Sequence, residues 1–147
     1  MITFRKLIEG DIEAIAREYV TYFNQIEEAN WTIEFARRRL SQLIVRYDAL
    51  GFILEEAGID LGFAIGQFVQ FDDGLVFELN ELLVYLPYHN KGHGSRLLQK
   101  MESEAKLQGA FRIQLVAVND DLHNYFYLNK HGYQNATNNL WRTKSLE

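Results

Sequence analysis

The chain has 147 residues, 48% of them hydrophobic and 14% aromatic, with a net charge of −5 and no cysteine. That composition fits one globular domain over residues 1–147 with a sizeable core, and it excludes disulfides, a thiolate nucleophile and cysteine-ligated zinc. The acidic balance argues against nucleic acid, whose affinity rests on basic residues neutralising phosphates, and favours a cationic substrate.

Ile2 to Leu7 reads as a short strand, and Gly10-Asp11 opens a helix. Within it Ile12, Ile15, Ala16, Tyr19, Val20 and Phe23 recur at helical spacing and make one apolar stripe. Thr32 is the expected N-cap of a second helix, with Ile33, Ala36, Leu40, Leu43, Ile44 and Tyr47 inward. The basic run Arg37-Arg38-Arg39 is expected to point largely outward, as a solvated face. Phe52 to Glu56 and Leu61 to Phe71 read as strands joined by a turn at Gly58, and Asp72-Asp73-Gly74 as a hairpin turn into a third strand, Val76 to Tyr85. Ser95 to Leu107 is expected as a helix with Leu97, Leu98, Met101 and Ala105 on one face, closed by Gly109. Phe111 to Val118 alternates as a strand, Asp121 to Lys130 is a short helix, and two further strand pieces are expected around Asn138-Asn139.

The resulting order, β-α-α-β-β-β-α-β-α-β-β, implies an α/β fold of the α+β type: a mixed, mostly antiparallel central sheet with flanking helices. Apolar runs are short and interrupted, and Met1 to Lys6 leads into a polar turn. Neither a signal peptide nor a spanning helix is expected, and the chain is expected to be cytoplasmic and free of membrane.

The stretch with most chemistry is LPYHNKGHGSRLLQKM, residues 86 to 101. A strand running into Lys91-Gly92-His93-Gly94-Ser95 and then a helix leaves first-turn amides unpaired, and the glycines let the backbone approach a ligand, so the place suits phosphate. It fits neither G-x-x-x-x-G-K-[ST], because Lys91 precedes the glycines, nor G-x-G-x-x-G, because Leu97 stands at the third position. His89 and His93 flank the loop without a Glu-x-x-His partner, so no metal is expected.

In context, NELLVYLPYHNKGHGSRLL, residues 80 to 98, resembles motif A of the GNAT-type N-acyltransferases, in which a bulged strand precedes [RQ]-x-x-G-x-[GA] and the next helix points at the pyrophosphate of acyl-coenzyme A. His89-Asn90-Lys91-Gly92-His93-Gly94 occupies the hexad. The opening FRKLIEGDIEAI and the later VAVNDDLHNYFYLNKHGY are similar to the first strand and helix and the last strand-helix segment of that family. The resemblance implies acetyl-CoA as cosubstrate, no metal, and a homodimer as the common family habit. It implies that the backbone of Leu82, Leu83 and Val84 holds the acyl carbonyl and pantetheine arm. His89, Asn90, Lys91, Gly92, His93, Gly94 and Ser95 would hold the pyrophosphate, and Asn119 would contact the cofactor or order the splayed strands. Because His89 replaces arginine or glutamine, most phosphate binding is expected from backbone amides.

In such enzymes the amine attacks the thioester directly. An alkylammonium with a pKa of about 10.4 needs about 4.6 kcal/mol to present its neutral form at pH 7. Glu81 is the favoured carboxylate for binding or deprotonating the amine, with Glu78 second. The family places a tyrosine four residues before its G-[FY] pair to protonate the thiolate. Leu128 stands there, and one extra residue near Asn129-Lys130 would restore Tyr127; Tyr125 and water are the alternatives. The expected activity is acetyl transfer to a primary amine of a small molecule such as a polyamine, amino sugar or aminoglycoside. Protein N-termini or lysines are the alternative acceptors, and a silent acyl-CoA-binding regulatory module is the alternative role.

Overall fold

The computed structural model describes all residues, 1–147, which cluster into two compact units, Met1–Leu115 and Val116–Glu147. In the first, β1 (Ile2–Lys6), β2 (Ala49–Glu56), β3 (Ile59–Phe71), β4 (Gly74–Val84) and β5 (Arg112–Leu115) form one sheet in that order. Neighbours are antiparallel except β4 and β5, which run parallel and are joined by α3 (His93–Leu107). The expected mixed, mostly antiparallel sheet with flanking helices is what forms.

Two helices, α1 (Ile12–Ile26) and α2 (Ile33–Ile44), cover one face. Their stripes bury Ile15, Ala16, Tyr19, Ala36, Leu40 and Leu43 against Ile53, Phe63, Ile65 and Leu83 of the sheet. Thr32 caps α2 as its sequence predicts, its hydroxyl oxygen accepting from the Phe35 amide at 3.1 Å. The alternation of a strand sends Phe52 to the other face, where Lys100 of α3 stands 4.8 Å from its ring centroid. There α3 buries Leu97, Leu98, Met101 and Ala105.

The β2–β3 hairpin turns through Ala57 (φ 52°) and Gly58 (φ 79°), a left-handed pair that suits the strands' twist but leaves a Cβ at Ala57 in a strained region. Between β3 and β4, Ile65 faces Glu81 while Gly66 faces Leu79, so Asn80 is one residue too many on β4 and forms a bulge. Gly66 lies at that step, where a Cβ would run into the Glu78 carbonyl and the Phe77 ring.

In the second unit, α4 (Asp121–Asn124) is capped by the Asp120 carboxylate, which accepts from the His123 amide at 2.8 Å. It continues as a π-helical turn over Tyr125–Lys130. Gly132 (φ 74°) ends it, and the Tyr133 amide bonds to the Tyr127 carbonyl at 2.8 Å. A closing bond of this kind normally spans five residues; here it spans six, so the turn absorbs one extra residue.

Four expectations are corrected. Tyr47 is not inward, because α2 ends at Ile44 and Tyr47, beyond that end, is 86% exposed. The strand expected over Phe111 to Val118 is paired only over Arg112–Leu115, because its parallel partner bulges beyond Leu79. The strand pieces around Asn138-Asn139 do not form. Asn135, Asn138 and Asn139 disfavour strand backbone, and Leu140, Trp141 and Leu146 are all exposed, so no buried face sets a register. The basic run is not wholly outward, since Arg39 turns in toward β4.

Candidate active site

The site begins at the bulge. The Tyr85 amide donates to the Leu61 carbonyl at 2.8 Å, and strand backbone groups alternate between edges, so those of Leu83 and Glu81 also face β3. Those of Leu82 and Val84 face the side of β5. Pairing with β5 ends at Leu79, which leaves Leu82 and Val84 without a strand partner there. Of the three backbone positions expected to hold an acyl arm, Leu82 therefore presents both its backbone groups at the free edge and Val84 its amide, the Val84 carbonyl being taken by the His89 ring, whereas Leu83 is committed to β3 and buries its side chain in the core.

From Val84 the chain passes a single turn, Leu86–Tyr88, into the loop before α3. Asn90 (φ 63°) and Gly92 (φ 80°) are both left-handed, and Gly92 is the N-cap of α3 with no side-chain cap bond. The helix thus begins at His93, two residues earlier than its sequence suggests. Its leading amides, His93 and Gly94 among them, have no intrahelical acceptor. Ser95 follows in the same turn, and Lys91 is exposed. The Arg96 guanidinium fixes the loop from below, donating from Nη1 to the Lys91 carbonyl at 2.7 Å. The same nitrogen lies 3.1 Å from His93 Nδ1.

Neither histidine ring is turned out as a ligand. His93 is 6% exposed, and burial with the Arg96 charge lowers its pKa, so its ring is the neutral acceptor and its backbone amide is what a phosphate could meet. His89 packs on Tyr22, ring centroids 5.3 Å apart, and its Nε2 lies 2.7 Å from the Val84 carbonyl oxygen. A carbonyl oxygen only accepts, so Nε2 carries a proton and the ring clamps the loop onto the strand.

Glu81 points to the α1–α2 face. Tyr19 Oη donates to its Oε1 at 3.0 Å, and Arg39 Nε and Nη2 both reach the same oxygen at 3.1 Å. Oε2 has no protein partner, yet every side-chain oxygen and nitrogen removed from solvent has one, so Oε2 is reached by solvent. Burial raises the Glu81 pKa, opposed by the Arg39 charge and the two hydrogen bonds. Burial also raises the Tyr19 pKa, keeping its hydroxyl a donor across the working range. Beside this group Arg46 Nη2 donates to Asn80 Oδ1 at 2.6 Å, and Gln114 Nε2 donates to Glu78 Oε1 at 2.9 Å. A carboxylate so held can take a proton or bind a cation through one fixed, accessible oxygen.

Tyr19, Arg39, Arg46 and Asn80 were not singled out from the sequence. Tyr19 is hidden inside an apolar stripe. Arg39 left a trace, standing three residues after Ala36 and one before Leu40, at the border of the buried stripe of α2.

In the second unit Tyr127 packs edge-on against Phe126 (4.9 Å) and Tyr133 (5.6 Å) within the π-helical turn. Asn119 lies before α4 and its Oδ1 accepts from Asn124 Nδ2 at 3.0 Å. No group of three His, Asp or Glu side chains is placed to hold a metal ion, and no helix is long and apolar enough to cross a membrane.

Solved structures share this architecture. One described as a possible acetyltransferase from Clostridium difficile 630 superposes with a TM-score of 0.84 at 10% identity, covering 100% of this chain and 99% of that one. A predicted acetyltransferase from Clostridium acetobutylicum, solved with acetyl-CoA, gives 0.76 at 18% identity, covering 97% and 96%. The glucosamine-6-phosphate N-acetyltransferase of Arabidopsis thaliana gives 0.68 at 16% identity, covering 100% and 99%. No curated protein sequence matches significantly. The description "Acetyltransferase (GNAT) family" matches residues 12–133. The bulged, half-paired β4 running into a glycine-capped helix thus lies within that match, and the chain belongs to the GNAT family of acetyltransferases.

Proposed function

We propose that the protein transfers an acetyl group from acetyl-CoA to a primary amine on a small molecule, by direct attack in a ternary complex. The observation that carries this reading is the Asn80 bulge at the point where β5 pairing ends. It leaves the Leu82 backbone and the Val84 amide as an unpaired edge that fits the amide-rich pantetheine arm, and the same strand leads to the α3 amides, which fit a pyrophosphate. His89, Asn90, Lys91 and Gly92 shape that cradle, and the amides of His93, Gly94 and Ser95 line its floor. Asn119 is assigned a cofactor contact on the family resemblance alone.

In the proposed reaction Glu81 Oε2 receives the acceptor ammonium and takes its proton, directly or through water. The amine nitrogen then bonds to the thioester carbon, the C–S bond breaks, Tyr127 gives its proton to the departing thiolate, and the second proton of the attacking nitrogen passes through water to restore Tyr127. The π-helical turn supports Tyr127 in this role, because it absorbs the one residue by which Tyr127 is displaced from the family's tyrosine position. The raised pKa of Glu81 suits a base, since proton acceptance is most effective when the pKa approaches the working pH. Amino sugars are reasonable first acceptors because one structural neighbour is a glucosamine-6-phosphate N-acetyltransferase.

The test is calorimetric titration with acetyl-CoA followed by a free-thiol assay over a panel of small amines, protein N-termini and lysine peptides. Acetyl-CoA binding with thiol release that depends on a small amine is expected. Binding with no acceptor-dependent release would leave only a silent acyl-CoA-binding module, and release with peptides alone would move the acceptor to protein.

A further inference from the structure

Arg46, two residues beyond α2, is a partly buried guanidinium with no acid partner. It donates from Nε to the Leu43 carbonyl at 3.2 Å and from Nη2 to Asn80 Oδ1 at 2.6 Å. No carboxylate lies within ion-pair distance, whereas Arg5, Arg37 and Arg39 each have one. Burial and the nearby charge of Arg39 lower its pKa, with Glu78 opposing from farther off. Nη1 has no protein partner, and because no side-chain nitrogen is both buried and unpaired, Nη1 is reached by solvent.

Its neighbour on the bulge is the candidate base. Asn80, which Arg46 grips, is followed directly by Glu81, whose Oε2 is likewise open; consecutive Cα atoms are only about 3.8 Å apart. The bulge thus links two groups through adjacent residues, the guanidinium that grips Asn80 and the Glu81 carboxylate; Arg39 is bonded to the second and its charge acts on the first, and each group has one solvent-reached atom. A desolvated guanidinium with a spare N–H binds an oxyanion strongly.

We infer that the acceptor is an amine that also bears an acidic oxygen group, a carboxylate or a phosphate, which Arg46 binds while Glu81 takes the ammonium. This rests on the proposed transfer and narrows it. A polycation would set a second positive charge against Arg46 and is expected to be a poor acceptor, whatever the overall charge of −5 does to attract it.

The competing account is that Arg46 merely ties the end of α2 to β4. Acceptor-dependent thiol release is measured with wild type, Arg46→Gln and Arg46→Lys on two matched pairs, tyrosine with tyramine and O-phosphoethanolamine with ethanolamine. The first pair reads a carboxylate and the second a phosphate. Melting curves check that both variants fold. The expected result is that Arg46→Gln lowers kcat/KM for the acidic member of at least one pair, relative to its acid-free partner, by roughly ten- to a hundredfold and mainly through KM. Arg46→Lys restores part of the preference. An unchanged ratio in both pairs overturns the inference, because a structural clamp would affect both members alike. If acetyl-CoA binds but no amine is turned over, the proposed transfer fails, and calorimetry on the same pairs still decides. Tighter binding of an acidic member that is lost in Arg46→Gln supports the Arg46 site; equal or absent binding overturns it.

Discussion

Replacing Arg39 by methionine keeps the aliphatic stem while removing the guanidinium from Glu81. The separation of 3.1 Å corresponds to about 5 kcal/mol of attraction at an effective dielectric constant of about 20. Arg39 is 38% exposed and Glu81 11%, so water screens the pair on one side. About 2–3 kcal/mol is a fair expectation for the loss at neutral pH. The loss should depend on pH, with a definite sign. The folded-state pKa of Glu81 lies above its unfolded value, so its favourable contribution to stability is present in acid and disappears as pH rises through the folded pKa. Arg39 limits that loss by stabilising the ionised form; without it the pKa climbs further. Urea unfolding should therefore show Arg39→Met destabilised by about 2–3 kcal/mol at pH 8 and by progressively less as the pH falls, because protonation of the carboxyl removes the charge that Arg39 offsets. Adding Glu81→Gln should return the pH 8 stability to within about 1 kcal/mol of wild type, because no buried charge remains. The acid limb of kcat/KM should move to higher pH in Arg39→Met. A destabilisation independent of pH, or a double variant as weak as Arg39→Met alone, would refute the view that Arg39 compensates a buried charge.

Gly94→Glu should raise the Kd for acetyl-CoA roughly a hundredfold or more by setting a carboxylate against the pyrophosphate. The melting temperature should hold, because an acidic residue in a helix's first turn is favourable; retained affinity in calorimetry would refute the cradle. Tyr127→Phe should lower kcat roughly a hundredfold with little change in acetyl-CoA affinity, as loss of a general acid does. Unchanged steady-state turnover would move the role to Tyr125 or water. Ala57→Asn should stabilise the protein by about 0.5–1 kcal/mol in urea unfolding, since asparagine tolerates the left-handed turn that alanine does not. No gain would mean that the β2–β3 turn is not strained.

What could be read from the chain were properties of single segments. The spacing of Ile15, Ala16 and Tyr19, the Thr32 cap, the stripe of Leu97, Leu98 and Met101, and the Gly92 start of α3 each follow from local periodicity or backbone freedom, although α3 begins two residues earlier than its pattern suggests. The site residues that escaped reading depend on relations between segments. Tyr19 is apolar core by its position and a hydrogen-bond donor only because Glu81 lies opposite; Arg39 is surface by composition and inward by phase. The strand pieces around Asn138-Asn139 fail for the converse reason: no buried face exists there to fix a register. The Asn80 bulge is implied only by the family resemblance and by no residue pattern within the strand. A bulge is a mismatch of count between two strands, so β4 alone does not carry it. Its trace lies on the partner strand, where Gly66 is needed because the backbone of β4 comes too close for any side chain. Gly66 lies far in sequence from every motif that marks the cofactor loop, yet its missing side chain accommodates the step at which β4 leaves its regular register and sets Glu81 beside Asn80.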